Sequence, residues 1–274
     1  MKKAALFLVL FMTVTSVTFA QFKTFTVNGV SFTMVRVEGG TFTMGATREQ
    51  DSDAYDDEKP AHSVTLTNVF YIGQTEVTQA LWQAVMGSNP SKHRGGNLPV
   101  ENVSWDDCQT FIRKLNSLTD KCFRLPTEAE WEFAARGGNR SRNYKYSGGN
   151  DINTVAWHIG NSGRQTHDVA TKSPNELGLY DMSGNVWEWR EDWYGDYGRG
   201  SQTDPTGHSS GSFRVLRGGG WDLHARDCRV SARNSYMPLY HSSYGGLRLA
   251  SYKAPIDAAD AVLDAPKEAK MSGE

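Results

Sequence analysis

The chain begins with a change of rhythm. Lys2 and Lys3 precede an apolar run from Ala4 to Val14, and smaller, less apolar residues follow down to Ala20. Charge, short apolar core and small residues in that order make a secretory leader, with Thr18 and Ala20 as the cleavage pair and Gln21 as the mature N-terminus. The run is short for a spanning helix, and nothing later approaches ~18 apolar residues. The expected protein is therefore exported, periplasmic or secreted, with no transmembrane segment after cleavage. From Phe22 to Met44 the pattern alternates, with Phe32, Met34, Arg36 and Glu38 on one face and Thr33, Val35, Val37 and Gly39 on the other. This predicts strand, with a turn at Gly39-Gly40 and a short return over Thr41 to Met44. Thr47 to Pro60 is polar and acidic. It lacks the spacing of a calcium-binding loop and reads as a solvated one.

A 3.6-residue period then takes over. Val77, Leu81, Trp82 and Val85 share one face of a helix started near Thr75. Ser104 ahead of Trp105-Asp106-Asp107 predicts a second capped helix, its acids complementing the helix dipole. Thr127 and Glu130 form a capping box for a third, running through Ala135 and stopped by Gly137-Gly138. Asn139 to Gly211 reads mostly as loops, and strand-like Phe213 to Leu216 and Gly246 to Ser251 close the domain. Lys253 to Glu274, rich in Ala, Asp, Glu and Lys without an aromatic, reads as a disordered tail. The division is 1–20 leader, 21–252 one α+β domain, 253–274 tail, with no internal repeat.

Composition sharpens this. The 274 residues carry a net charge of −2, with no clustered basic face to exchange phosphate counterions, so nucleic acid is not an expected partner. Gly 27 and Trp 8 describe a loop-rich fold packed by aromatics. Trp157, Trp187, Trp189, Trp193 and Trp221 are candidates for a binding groove, with most tryptophans expected in the core. The seven histidines show no metal-protease spacing, and there is no P-loop or serine elbow. Of three cysteines, Cys108 and Cys122 flank one predicted helix and are either bridged or free, which leaves Cys228 odd.

Several segments carry a resemblance. Arg36-Val37-Glu38-Gly39-Gly40-Thr41-Phe42-Thr43-Met44-Gly45, Pro99 to Trp105, Arg124-Leu125-Pro126-Thr127-Glu128-Ala129-Glu130-Trp131-Glu132, Pro174 to Trp189, Arg217-Gly218-Gly219-Gly220-Trp221 and Gly246-Leu247-Arg248 occur in that order. Together they are similar to the formylglycine-generating enzymes, the sulfatase-modifying-factor family. The resemblance implies one α+β domain of the C-type-lectin-like class with little regular secondary structure.

In catalytic relatives a copper-dependent oxidase uses O₂ to convert a sulfatase cysteine to formylglycine. Two cysteines five residues apart, after a Gly-Gly-Ser-aromatic turn, supply the soft ligands that Cu(I) needs. Gly218-Gly219-Gly220-Trp221 matches that turn with Gly220 in place of Ser, and Leu223 occupies the first cysteine position. Cys228 falls on the second in an ungapped alignment, and off it when the gap needed before Arg229 to Arg233 is placed earlier. His224 and Arg226 are close enough in sequence to lower its pKa, and with Trp221 they are the expected pocket. The resemblance implies that relatives without the oxidase bridge such a cysteine to one after Trp-Glu-Trp, where this chain has Arg190.

The family's calcium segment maps onto Asp181, Gly184, Val186 and Glu188, two side chains and two carbonyls suited to a hard cation. A second calcium site matches poorly, with Val155 in place of an Asn and only Asn161 to replace the carboxylate. The expected protein is thus an exported member without the copper centre, binding a peptide, protein or glycan. The alternatives are a sulfatase-directed oxidase using copper and Cys228, and a structural part of an envelope assembly.

Overall fold

The computed structural model describes residues 21–252, so the leader and the tail read from the sequence lie outside the described residues. Strands β1 (Phe22–Val27) and β2 (Val30–Val37) form a hairpin closed by Asn28-Gly29, both at positive φ (47° and 81°). Asn-Gly suits the mirror-image turn whose twist matches the strands, and the alternating pattern had concealed it. After β3 (Gly40–Met44) come β4 (His62–Leu66) and β5 (Phe70–Gly73). β2 pairs with β5 and β3 with β4, so Gly39-Gly40 marks a change of sheet and not a return along β2.

Helix α1 spans Gln79–Met86, with Thr78 accepting from the Leu81 amide. The start lies three residues beyond Thr75 because Val77 is held extended, its N–H on Leu247 O and its carbonyl on the Val100 amide. Leu81, Trp82 and Val85 are buried as the pattern requires. Helix α2 (Trp105–Thr119) has the Ser104–Asp107 capping box, and α3 (Glu128–Ala135) the Thr127–Glu130 box. The short α4 (Ile152–Val155) is followed by β6 (Trp187–Trp193), β7 (Gln202–Thr203), β8 (Arg214–Arg217), β9 (Arg233–Tyr236), β10 (Gly245–Gly246) and β11 (Ala250–Ser251).

The sheets run β1-β2-β5-β11, β10-β6-β8-β9 and β3-β4-β7. The strand expected over Gly246 to Ser251 is two short strands. One lies beside β6 and the other beside β5, so this segment joins two sheets.

Two large apolar clusters fill the interior, one around α1 and α2 and one around α3, with a small third around Cys228. Trp82 stacks on Phe111 at 4.8 Å, and Trp131, Trp187 and Trp189 are also buried. Trp105, Trp157, Trp193 and Trp221 are half-buried. Arginines lie among the largest fully buried side chains: Arg190, Arg217, Arg229 and Arg248. Each sits against buried acid. Arg229 pairs with Glu58, Arg217 with Glu132, and Arg248 and Arg190 with Glu188. Arg233 grips Glu128 through Nε at 2.7 Å and Nη2 at 2.9 Å. The acidic loop is therefore docked and not merely solvated, because Glu58 is carried into the interior by Arg229 and Ser231. Among the described residues no helix is long and apolar enough to cross a membrane.

Candidate functional site

The turn after β8 is built by glycines. Gly218 and Gly219 have φ of 103° and 78°, and a Cβ on Gly219 would lie 2.7 Å from Cys228 Sγ. Only glycine combines that conformation with so close an approach. The turn is fastened by Gly184 N–H to Gly218 O at 2.7 Å and Trp221 N–H to Asn185 O at 2.8 Å. Cys228, at the end of a single 3₁₀ turn, is fully buried among Tyr146, Val155 and Ala156. Burial pushes its thiol up to about 12, and Asp227 and Asp222 push the same way.

His224 and Arg226 do not activate it. His224 is exposed, and Arg226 turns away to give Nε to Asp53 O at 2.8 Å and lay its guanidinium 3.7 Å over Tyr55. Leu223, at the first cysteine position, packs on the α1–α2 core. All three cysteines are free thiols. The Cys108–Cys122 bridge is absent because roughly 16 Å of α2 separates Cys108 from the helix end, against a Cα span below ~7 Å for a disulfide. A copper centre does not fit: one sulfur is missing, and the other is sealed and held as a thiol.

The Asp181–Glu188 segment comes together with a third acid, Glu76. Asp181 Oδ2 accepts from the Ala170 amide at 2.8 Å, while its buried Oδ1 has no partner. Burial raises its carboxyl to about 6, and burial together with the Asp181 and Glu188 charges pushes Glu76 well above the usual range. Glu188 is placed differently from the expectation. Its oxygens accept from Arg248 Nη2 at 2.7 Å, Trp131 Nε1 at 2.8 Å and Arg190 Nη2 at 2.9 Å. With both oxygens engaged, Glu188 is the anion of an arginine cluster and not a free ligand. Among the described residues no group of three acid, His or Cys side chains forms a metal cage. The four-residue calcium set therefore does not fit as a unit, whereas Asp181 alone offers an uncommitted oxygen. Asn161 is spent on local bonds, accepting from the His158 amide and donating to Ala156 O.

Trp221, His224 and Arg226 do not form one pocket. Trp221 gives Nε1 to Ser243 O at 3.0 Å and meets the edge of His93 at 5.2 Å. The residue that organises its surroundings is Asn185. It accepts from the His167 amide, donates to Glu76 Oε2 and, through its carbonyl, anchors Trp221. His167 in turn stacks on Trp157 at 3.7 Å. An asparagine after a glycine in a loop-rich stretch carries no signal of that role, beyond the positive φ both adopt. A cavity of about 750 Å³ lies elsewhere, along Trp105, Trp193, Arg214 and the Met237–His241 segment. Its floor is the Arg214 guanidinium, 3.5 Å from the Trp193 ring and 3.9 Å from Trp105, with Nε unpartnered. Met237 and Leu239 are exposed at its rim.

This glycine turn, the buried Trp-Glu-Trp strand and the short joined sheets define a class. Residues 10–253 match the sulfatase-modifying factor enzyme 1-like domain, and the chain belongs to that family. It is 36% identical over 252 residues to a Paenibacillus barcinonensis protein named chaperone protein LppX, covering 74% of this chain and 83% of that one. It is 31% identical over 286 residues to the formylglycine-generating enzyme of Streptomyces coelicolor, covering 79% and 88%. Among solved structures, Treponema denticola variable protein 1 superimposes with a TM-score of 0.77 at 37% identity, over 86% of this chain and all of that one. PvdO from Pseudomonas aeruginosa gives 0.69 at 27%, over 81% and 94%. The fold is thus the α+β, C-type-lectin-like fold of the formylglycine-generating enzymes.

Proposed function

We propose that this protein is a member of the family without the copper oxidase, acting outside the cytoplasm by binding a protein partner. One observation carries the loss of chemistry: Leu223 stands where the first cysteine would be, and Cys228 is buried with its thiol raised to about 12. Thiolate is the copper ligand and the nucleophile, so a thiol held neutral supplies neither.

The binding half is supported by the groove beside Trp105 and Trp193. Leu239 and Met237 are 70% and 58% exposed there, beside the guanidinium of Arg214. That chemistry suits a peptide segment with an apolar side chain beside a carboxylate. The relative named as a chaperone fits a protein partner. Export rests on the leader pattern. Calcium belongs to the same proposal at the Asp181 end of its segment, where Oδ1 has no partner and the buried Glu76 is the neighbouring acid.

Cu(I) titration and mass spectrometry test the chemistry. The expected result is no stoichiometric Cu(I) binding and an unchanged Cys-x-Pro-x-Arg peptide after incubation with protein, copper and O₂. Stoichiometric Cu(I) binding that disappears in Cys228→Ser, with loss of sulfur mass from the peptide, establishes the oxidase instead.

A further inference from the structure

Four buried glutamates, Glu58, Glu128, Glu132 and Glu188, have guanidinium partners, and Glu130 has Arg124. Asp192 has none. It lies in β6, 3% exposed, and Oδ2 accepts from the Glu128 amide at 2.8 Å in the first turn of α3. Among the described residues no ion pair includes it. Burial pushes its carboxyl up to about 8, and the neighbouring charges of Glu128, Glu130 and Glu191 add to this. Arg190 and Arg214 also feel its charge without reaching it, and Arg233 is spent on Glu128.

Asp192 also borders a cavity of about 310 Å³. Its other walls include His62, Trp193, Tyr197 and His208, with Asp196 and the Glu128–Arg233 ion pair also lining it. The roof comes down onto Asp192 at Gly207, where φ is +76° and a Cβ would lie 2.7 Å from Asp192 Cβ. A loop that closes this tightly over an acid leaves space for a small ligand and little else. The volume equals roughly ten waters at their ~30 Å³ liquid share.

We infer that this cavity binds a small organic ammonium ion, with Asp192 as its counter-ion and the aromatic walls around its carbon chain. Where Glu58, Glu128, Glu132 and Glu188 are answered by a guanidinium of the chain, Asp192 is answered by a cation from outside. A metal ion is poorly served, because Glu128 is committed to Arg233 and no cage of three ligating side chains is present among the described residues. Aromatic faces favour an organic cation. Binding near neutral pH displaces the Asp192 proton to solvent as the ion pair forms, so one proton is released per ammonium bound.

Butylammonium is the probe, 1-butanol the neutral control of the same shape, and Ca²⁺ the metal arm. Calorimetry at pH 7 in buffers of differing ionisation enthalpy is expected to show saturable butylammonium binding with about one proton released. Neither 1-butanol nor Ca²⁺ should compete. Asp192→Asn, which keeps an acceptor for the Glu128 amide, should weaken binding at least tenfold and abolish proton release while the thermal transition persists. Gly198→Trp tests the cavity without touching Asp192, since Gly198 lines it and a Cβ there first meets Gln202 Nε2 at 3.6 Å. It should block binding. Undetectable butylammonium binding at 10 mM, equal affinity for 1-butanol, displacement by Ca²⁺, or full affinity in Asp192→Asn overturns the assignment.

Discussion

Two kinds of buried acid lie within one interior. Around α3, Glu58, Glu128 and Glu132 are fully satisfied by arginines and backbone, and where a shift is resolved it is downward. For Glu58 and Glu128 burial alone would raise the carboxyl, and Arg229 and Arg233 hold it below the usual range. Asp181 and Asp192 are buried as deeply, lack a guanidinium, and are raised to about 6 and about 8. Depth is common to both sets, so the partner makes the difference. A buried charge is tolerable when paired and otherwise takes up a proton or an outside cation.

The largest effect expected is at a satisfied pair. Arg229→Ala leaves Glu58 buried with only the Ser231 hydroxyl and the Tyr55 amide as partners and should lower unfolding free energy by about 3–5 kcal/mol. Urea unfolding measures it. The double variant Glu58→Met with Arg229→Met should recover most of the loss, because no unpaired charge remains. If the double variant is as unstable as the single one, shape and not charge decides this interior.

Calcium sharpens the other side. Saturation at 100 times Kd should stabilise the protein by about 2.7 kcal/mol, seen as a rise in Tm that EDTA reverses and Asp181→Asn removes. A calcium response unchanged in Asp181→Asn places the ion elsewhere.

At Asp192 the effect has a definite sign. Its folded pKa of about 8 lies above the unfolded ~3.9, so the folded state binds more protons between those values. Its contribution is fully present below pH ~4 and is lost as pH rises through about 8. Asp192→Asn removes that slope, so its Tm should gain on the parent protein from pH 5 to pH 9, by roughly 2–4 °C for each kcal/mol. Parallel curves would show that Asp192 is ionised throughout. At the small end, Lys59→Ala breaks an exposed 3.4 Å pair with Asp56 and should change stability by less than about 0.5 kcal/mol. A larger loss would mean that the acidic loop is held by its surface as well as by Glu58.

What could be read in advance was local. The capping boxes at Ser104 and Thr127 place their helices without help from the rest of the chain, since the bonds lie within four residues. The order of Gly, Trp and Pro motifs was enough for the family, because turns and aromatic packing recur wherever this fold is built.

Three-dimensional neighbours decided the rest. A sequence marks Arg217, Arg229 and Arg248 as surface residues by type, and only the sheets bring acids to them from 60 to 171 residues away. The same long-range contacts withdraw Glu188 from a calcium site, turn Arg226 toward Tyr55 and seal Cys228 beneath Gly219. They also leave Asp192 without a cation beside a cavity. Residue type and spacing determined which groups this protein has to work with. Whether each is paired, buried or free is a property of distant contacts, because desolvation and Coulomb energy depend on what surrounds a charge and not on what precedes it in the chain.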